Sequence, residues 1–310
     1  MKIILLAAVL ALFHADASAA EPVAYITEIH RGGGEVQVRT GADQTWKTPR
    51  PLLGLSAGDQ VRVVGEARVV LLYHRGDRTV TVTPTESPFT VQPVKDSGGA
   101  EQVRSIASSV SQFLLGKQEA PALRRAATRG DGPVMVSPRH TRVLPGPLVF
   151  EWDGPDHLRY GVKVVGPDGI VWTQTGLPRA SLRYPTTAPP LAPGVRYTWE
   201  LEVSGRSPQA ASFEIVTDAE ATRIRALLAG LDRTTQGYPR TTVGVMQAAL
   251  LYEEGLFAEA RRALEEAATT DPREATVRFV LGHVYEHIGL SAKAARAFDE
   301  ANALISVPGR

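Results

Sequence analysis

Apolar and polar positions along the chain change period three times. From Val23 to Val91 they follow strand spacing: Val36 and Val38 alternate with polar neighbours, as do Val61 and Val63. Val69 to Tyr73 is a continuous apolar run suited to a buried strand, and Thr79 to Thr83 alternates again with β-branched residues. Gly32-Gly33-Gly34, Gly58-Asp59 and Gly76-Asp77 punctuate these strands as turns. Between Gln92 and His140 the composition shifts to Ser, Gly, Ala and Arg. There Val103, Ile106, Val110, Phe113 and Leu114 fall at helical steps, predicting an amphipathic helix. Gly116 to Gly132 reads as a linker, with Arg124-Arg125 on a solvated surface.

Strands return between Val143 and Val216. Leu148-x-Phe150-x-Trp152 and Tyr160-x-Val162-x-Val164 alternate cleanly, and Asp168-Gly169 turns the chain into Ile170-Val171-Trp172. Leu191-x-Pro193-Gly194-x-x-Tyr197 precedes another alternating strand through Trp199, Leu201 and Val203, and Phe213-x-Ile215 supplies the last. From Ala219 the pattern is helical, with Asp218 as the expected N-cap of a helix over Ala219 to Leu231. A 34-residue self-similarity follows. Ala248, Leu251, Gly255, Ala260, Leu264 and Ala267 recur as Gly282, Tyr285, Gly289, Ala294, Phe298 and Ala301. Small residues let paired helices approach closely, Gly255 and Gly289 permit the turns, and Pro272 separates the copies. Two repeats bury little core alone, so the Ala219–Leu231 helix is expected to pack on them.

Three family resemblances rest on these residues. Gly34-x-Val36-x-Val38, Trp46, Leu53, Gly58-Asp59-x-Val61, the run Ala67 to Leu72 and the Val80/Val82 strand resemble, in order, a FecR-type periplasmic domain. That resemblance implies a β-sheet module that contacts partners or senses ligands outside the cytoplasm. The Leu191–Tyr197 motif resembles the corner of fibronectin type III modules, in which the Tyr hydroxyl bonds back to upstream backbone. The 34-residue pattern, with Leu281-Gly282-x-x-Tyr285 and Ala294-x-x-x-Phe298, resembles tetratricopeptide (TPR) repeats. In such arrays the first helix of each repeat lines a concave groove that suits an extended peptide or a partner helix. By register those positions are Val245, Ala249, Tyr252 and Glu253 in the first copy. In the second they are Phe279, His283, Glu286 and His287.

Composition narrows the function classes. Lys+Arg 34 against Asp+Glu 33 gives a net charge of +1, with no general pull toward nucleic acid or anionic lipid. Cysteine is absent, which excludes disulfides, thiolate metal sites and Cys nucleophiles. The N-terminus has the grammar of a secretory signal peptide. Lys2 precedes an apolar run from Ile3 to Phe13, with Ala15-Asp16-Ala17 and Ala17-Ser18-Ala19 as cleavage signals. The run is shorter than the roughly 20 residues that span a bilayer, and no later segment is apolar enough to anchor the chain.

Two strings imitate catalytic motifs. Gly54-Leu55-Ser56-Ala57-Gly58 fits a nucleophile elbow, but a strand pattern follows it where the elbow needs a helix. His283-x-x-Glu286-His287 fits a zinc-hydrolase helix, but Tyr285 is already a repeat core position and a catalytic zinc needs a third protein ligand. His30, His74, His140 and His157 are scattered singly and read as surface or turn residues.

The expectation is therefore a multi-domain β + α protein. It comprises a signal peptide (1–20), a FecR-like β-sheet domain (22–93), a helix and linker (94–140), a fibronectin type III-like β-sandwich (141–217) and a TPR α-solenoid (218–306). It is expected to be an exported, periplasmic or secreted scaffold without enzymatic activity, cofactor or metal. Its expected partners are proteins or peptides of the cell envelope, with no nucleic acid. The alternative is a glycan- or peptidoglycan-binding envelope protein using the FecR-like domain.

Overall fold

The structure, a computed structural model, describes residues 22–41, 43–73, 78–93, 113, 132–178 and 181–306. The residues of the expected signal peptide, the basic Arg124-Arg125 pair and all of the expected 103–114 helix except Phe113 lie outside them. Sheets fill the N-terminal two thirds and five helices the C-terminal third, a mixed β + α chain.

The first unit contains β1 (Ala24–His30), β2 (Glu35–Thr40), β3 (Asp43–Lys47), β4 (Gly54–Leu55), β5 (Gln60–Val64), β6 (Arg68–Tyr73), β7 (Arg78–Val82) and β8 (Phe89–Thr90). They form two four-stranded antiparallel sheets, ordered β4-β1-β6-β7 and β3-β2-β5-β8. Ile26, Val36, Val61, Val69 and Leu71 fill the core between them. The Gly32–Gly34 turn is tight because Gly34 sits against β5. A Cβ there would lie 1.9 Å from the Val64 carbonyl oxygen, so no side chain fits.

In β1, Ala24 and Ile26 face this core while Tyr25 faces away from it. Ile26 pairs with Leu71 and Glu28 with Val70, so Thr27 is an extra residue, a β-bulge. Such a bulge shifts strand parity by one. Beyond it Ile29 takes the core side, and Glu28 and His30 turn outward with Tyr25 and Thr27.

The second unit contains β9 (Val134–Ser137), β10 (Thr141–Val143), β11 (Val149–Asp153), β12 (Tyr160–Gly166), β13 (Gly169–Leu177), β14 (Ser181–Arg183), β15 (Arg196–Val203) and β16 (Gln209–Ile215). Its sheets are ordered β14-β11-β9 and β10-β16-β15-β12-β13, and only β10 and β16 run parallel. Phe150, Trp152, Trp199 and Phe213 dominate the shared core. Trp199 Nε1 donates to the Pro138 carbonyl at 2.6 Å, which satisfies the buried indole. The Tyr197 hydroxyl accepts the Ala192 N–H at 2.8 Å, the upstream backbone bond expected of this corner. Strand β9 falls within the stretch read as a helix and linker (94–140). Val134-Met135-Val136 is too short a run, among Pro, Ser and Arg, to carry a strand period.

The helices are α1 (Asp218–Thr234), α2 (Arg240–Glu253), α3 (Phe257–Thr270), α4 (Ala275–His287) and α5 (Ser291–Ser306). Asp218 is the first helical residue, and the N-cap is Thr217, whose hydroxyl and N–H exchange bonds with Glu220 in a capping box. Gly255 and Gly289 close the α2–α3 and α4–α5 turns at φ +74° and +76°, the left-handed conformation that favours glycine. Ile224 and Leu231 of α1 join the apolar cluster of the other helices.

Candidate interaction site

Both β units dock on the helical array. The second unit reaches it through the β9–β10 turn. The Arg142 guanidinium donates to the Glu254 carbonyl at 3.1 Å, and the Arg142 N–H to Gly255 O at 2.8 Å. Arg139 Nε donates to the Ile288 carbonyl at 2.6 Å. Glu254 and Ile288 are the C-caps of α2 and α4, one repeat apart. Each arginine thus meets the negative end of a helix dipole at the same point of consecutive repeats. Arg261 on α3 pairs with Glu151 and Lys293 on α5 with Asp153, which adds ion pairs along β11.

The first unit lies across the N-terminal ends of α2 and α4. Its outward residues Tyr25, Leu52 and Leu72 enter the same buried cluster as the helices, and Phe113 joins them, meeting Tyr252 edge-on at 5.1 Å. The inner helices of the repeats are therefore covered by the chain itself.

This placement divides the eight groove positions. Val245 and Ala249 are fully buried in that cluster, and Phe279 and His283 pack against Phe298 of α5, so none of these four lines an open groove. Tyr252 and Glu286 are half-buried, while Glu253 and His287 are exposed. Tyr252 and His287 come together: the Tyr hydroxyl lies 2.8 Å from Nδ1, and the Phe257 ring packs on both. Burial pushes the Tyr252 hydroxyl pKa up to about 12, so it stays protonated at ordinary pH. The repeat register places the eight positions on α2 and α4. It carried no signal that another part of the chain would occupy their inner face.

The catalytic-looking strings resolve into packing. Gly54-Leu55 is β4, Ser56 N–H donates to the Asp59 carboxylate at 2.8 Å in a turn, and β5 follows at Gln60. His283 is 3% exposed among Phe279 and Phe298, whereas His287 lies at the surface beside Tyr252.

No protein-family model matches the chain, and no curated protein matches it. Among solved structures it is similar to a β-1,2-glucanase from Parabacteroides distasonis, at 11% identity and a TM-score of 0.21. The similarity covers 92% of this chain and 49% of that one, so the chain spans about half the glucanase's length. A likeness at this level carries no conclusion on fold or activity. Among the described residues, no helix is long and apolar enough to cross a membrane.

One polar cluster was not legible in the sequence. His30, read as a lone surface or turn residue, stands between buried carboxylates. Its Nε2 lies 3.1 Å from Glu28 Oε2 and 3.2 Å from Glu274 Oε2, and its Nδ1 lies 3.5 Å from Asp271 Oδ2. Glu28 Oε1 accepts the Thr242 N–H at 2.9 Å and the Thr242 hydroxyl at 2.6 Å, near the start of α2. Glu274, the N-cap of α4, accepts the Thr276 N–H at 2.8 Å and the Ile29 N–H at 3.1 Å. Burial pushes the Glu274 pKa up to about 7. Burial acts the same way on Glu28, but the bonds from His30 and Thr242 outweigh it and the net shift is down. Burial lowers the His30 pKa, yet the Glu28 bond and the Glu274 charge raise it overall. The donor atoms of Glu28, His30 and Glu274 all lie within 4.8 Å of one another, a set able to hold a metal ion.

Proposed function

We propose that the chain is an exported envelope scaffold that displays a partner-binding surface and carries out no turnover. In this reading the three parts are a FecR-like domain, a fibronectin type III-like sandwich and a short TPR array. The observation that carries it is the mutual docking of both β units on the helices. Main-chain bonds at consecutive repeats and a shared apolar cluster make one body of the three. Such a body presents a fixed outer surface for contact. The inner groove, being filled, is not that surface. The edge formed by Tyr252, Glu253, Glu286 and His287 is, because it joins an aromatic patch to two carboxylates, with Glu253 and His287 exposed.

The test uses the full mature chain, since removing the helices would strip the cover from Tyr25, Leu52 and Leu72. Photo-cross-linking from position 253 in native envelopes is compared between the parent and the pair Glu286→Arg, His287→Ala. A specific adduct lost in the double variant supports the reading. An adduct pattern unchanged by it moves the binding surface elsewhere.

A second reading, glycan binding by the first unit, has one observation in its favour. Trp46 on β3 is flanked by the guanidinium groups of Arg39 and Arg62, 5.1 and 4.6 Å from its ring, with Gln37 and Gln60 beside them. A flat aromatic with amide and guanidinium donors is a platform for an anionic sugar. Trp46→Ala should then release the protein from sedimented cell-wall material, and retention unchanged by it excludes this platform.

A further inference from the structure

The Glu28–His30–Glu274 cluster is built more carefully than an interdomain hydrogen bond requires. We infer that it is a binding site for a divalent transition-metal ion, zinc by preference, which staples the first β unit to the helical array.

Were the strand regular through Thr27, alternation would turn Glu28 and His30 into the apolar core beside Ile26. The bulge re-aims both toward α4, and bulges recur where a site needs a side chain turned. The donor geometry follows. A tetrahedral zinc with bonds of about 2.0–2.1 Å holds its ligand atoms about 3.3 Å apart. The His30 nitrogen lies at 3.1 and 3.2 Å from the two carboxylate oxygens. An ion in place of the proton between them needs only small adjustments.

The surrounding shell also fits. A metal-bound histidine usually turns its other ring nitrogen to a carboxylate, which fixes the tautomer. Asp271 occupies that place at Nδ1. Each ligating carboxylate is likewise held from behind, Glu28 by Thr242 and Glu274 by Thr276 and Ile29, so the donors are oriented in advance. Charge points the same way. Glu28 and Glu274 are 2% and 0% exposed, and Asp271 is half-buried beside them. The His30 imidazole lies between them, and Arg68 is close enough to act on that imidazole. Burying carboxylates is costly unless they are paired or coordinate a metal. An imidazole with two carboxylates suits zinc and related first-row ions better than calcium or magnesium. His30 keeps 12% of its side chain exposed, so an ion can reach the site from solvent.

The experiment is zinc binding to the full mature chain after chelation, followed by calorimetry at micromolar free metal and by cobalt substitution. The expected result is one ion per chain and the visible absorption of tetrahedral cobalt. Zinc should also raise the melting temperature by a few degrees and slow hydrogen exchange at the Ile29 and Thr276 amides. His30→Asn and Glu28→Gln should each weaken binding at least tenfold, with circular dichroism showing that they remain folded. His287→Ala should leave binding unchanged. Absence of stoichiometric zinc on the parent chain overturns the proposal whatever the variants do. So does binding that survives His30→Asn and is lost in His287→Ala, which would place the ion on the α4 histidines.

Discussion

Gly282→Ala tests whether the repeat pattern reports helix contact. Gly282 lies in α4 against Phe298 of α5. A Cβ added there would stand 2.7 to 2.8 Å from three ring atoms of Phe298, where carbon contacts ordinarily sit at about 3.5–4.0 Å. The ring has no room to withdraw: Phe298 is 4% exposed and packs edge-on against Phe279 at 5.6 Å and His283 at 5.0 Å. Two effects compete. Alanine gains about 1 kcal/mol over glycine in a helix interior. Forcing a methyl into a filled core costs about 1–3 kcal/mol. Three close contacts at once place this site at the upper end, for a net loss of about 1–2 kcal/mol. Urea denaturation followed by far-ultraviolet circular dichroism reads the shift. Gly244→Ala is the matched control. Its Cβ would meet Ala267 Cβ at 3.2 Å, a mild contact that the propensity gain roughly offsets, so its midpoint should barely move. Phe298→Leu added to Gly282→Ala should recover part of the loss. A Gly282→Ala midpoint at or above that of the parent would refute the packing argument.

Other consequences are open to direct measurement. Arg139→Ala and Arg142→Ala should each cost about 1 kcal/mol and speed hydrogen exchange at the matching turn, near Gly289 for the first and Gly255 for the second. An effect of either at both turns equally would contradict the one-arginine-per-repeat assignment. Phe113→Ala removes a ring that is 1% exposed against Tyr252 and should destabilise by about 3 kcal/mol, with new binding of a hydrophobic dye at the uncovered helices. Unchanged dye binding would mean that the ring covers nothing. The Glu220 carboxylate is held down to about 2 by the Thr217 hydroxyl and N–H and by Arg142. A depressed carboxylate stabilises above its unfolded pKa, so this contribution is present at neutral pH and is lost as pH falls from about 4.5 toward 2. A carbon-13 titration should place its midpoint near 2, and a midpoint near 4.5 would show the cap to be unformed.

The strands legible by alternation were those with one face toward a core and one toward water, while Val69 to Tyr73 was legible as an unbroken apolar run. Leu148-x-Phe150-x-Trp152 alternated because β11 does, and Val36/Val38 because β2 does. Strand β1 escaped because six of its seven residues are buried, one face against its partner sheet and the other against helices, with Thr27 and Glu28 among them. A strand covered on both sides has no polar beat to read. The 34-residue period exposed the helical repeats but not their cover, since Tyr25, Leu52 and Phe113 carry no mark of where they dock. The His30 cluster was hidden by distance along the chain: Glu28 and His30 meet Glu274 and Asp271 more than two hundred residues later. Spacing rules find ligands that share a helix or a loop. They do not find ligands that a fold brings together across modules.

The pairing of Arg139 with Ile288 and of Arg142 with Glu254 also bears on how such a protein can evolve. Solenoids lengthen and shorten readily by duplicating or deleting whole units, because each unit touches only its neighbours. Here the β9–β10 segment, with Arg139 in its turn and Arg142 on β10, spans two successive units at a fixed interval, like the teeth of a gauge. A unit inserted between them would carry one carbonyl out of reach of its arginine, and a unit removed would leave one arginine with nothing to hold. The copy number of this array is set from outside it, by the β9–β10 segment that measures it.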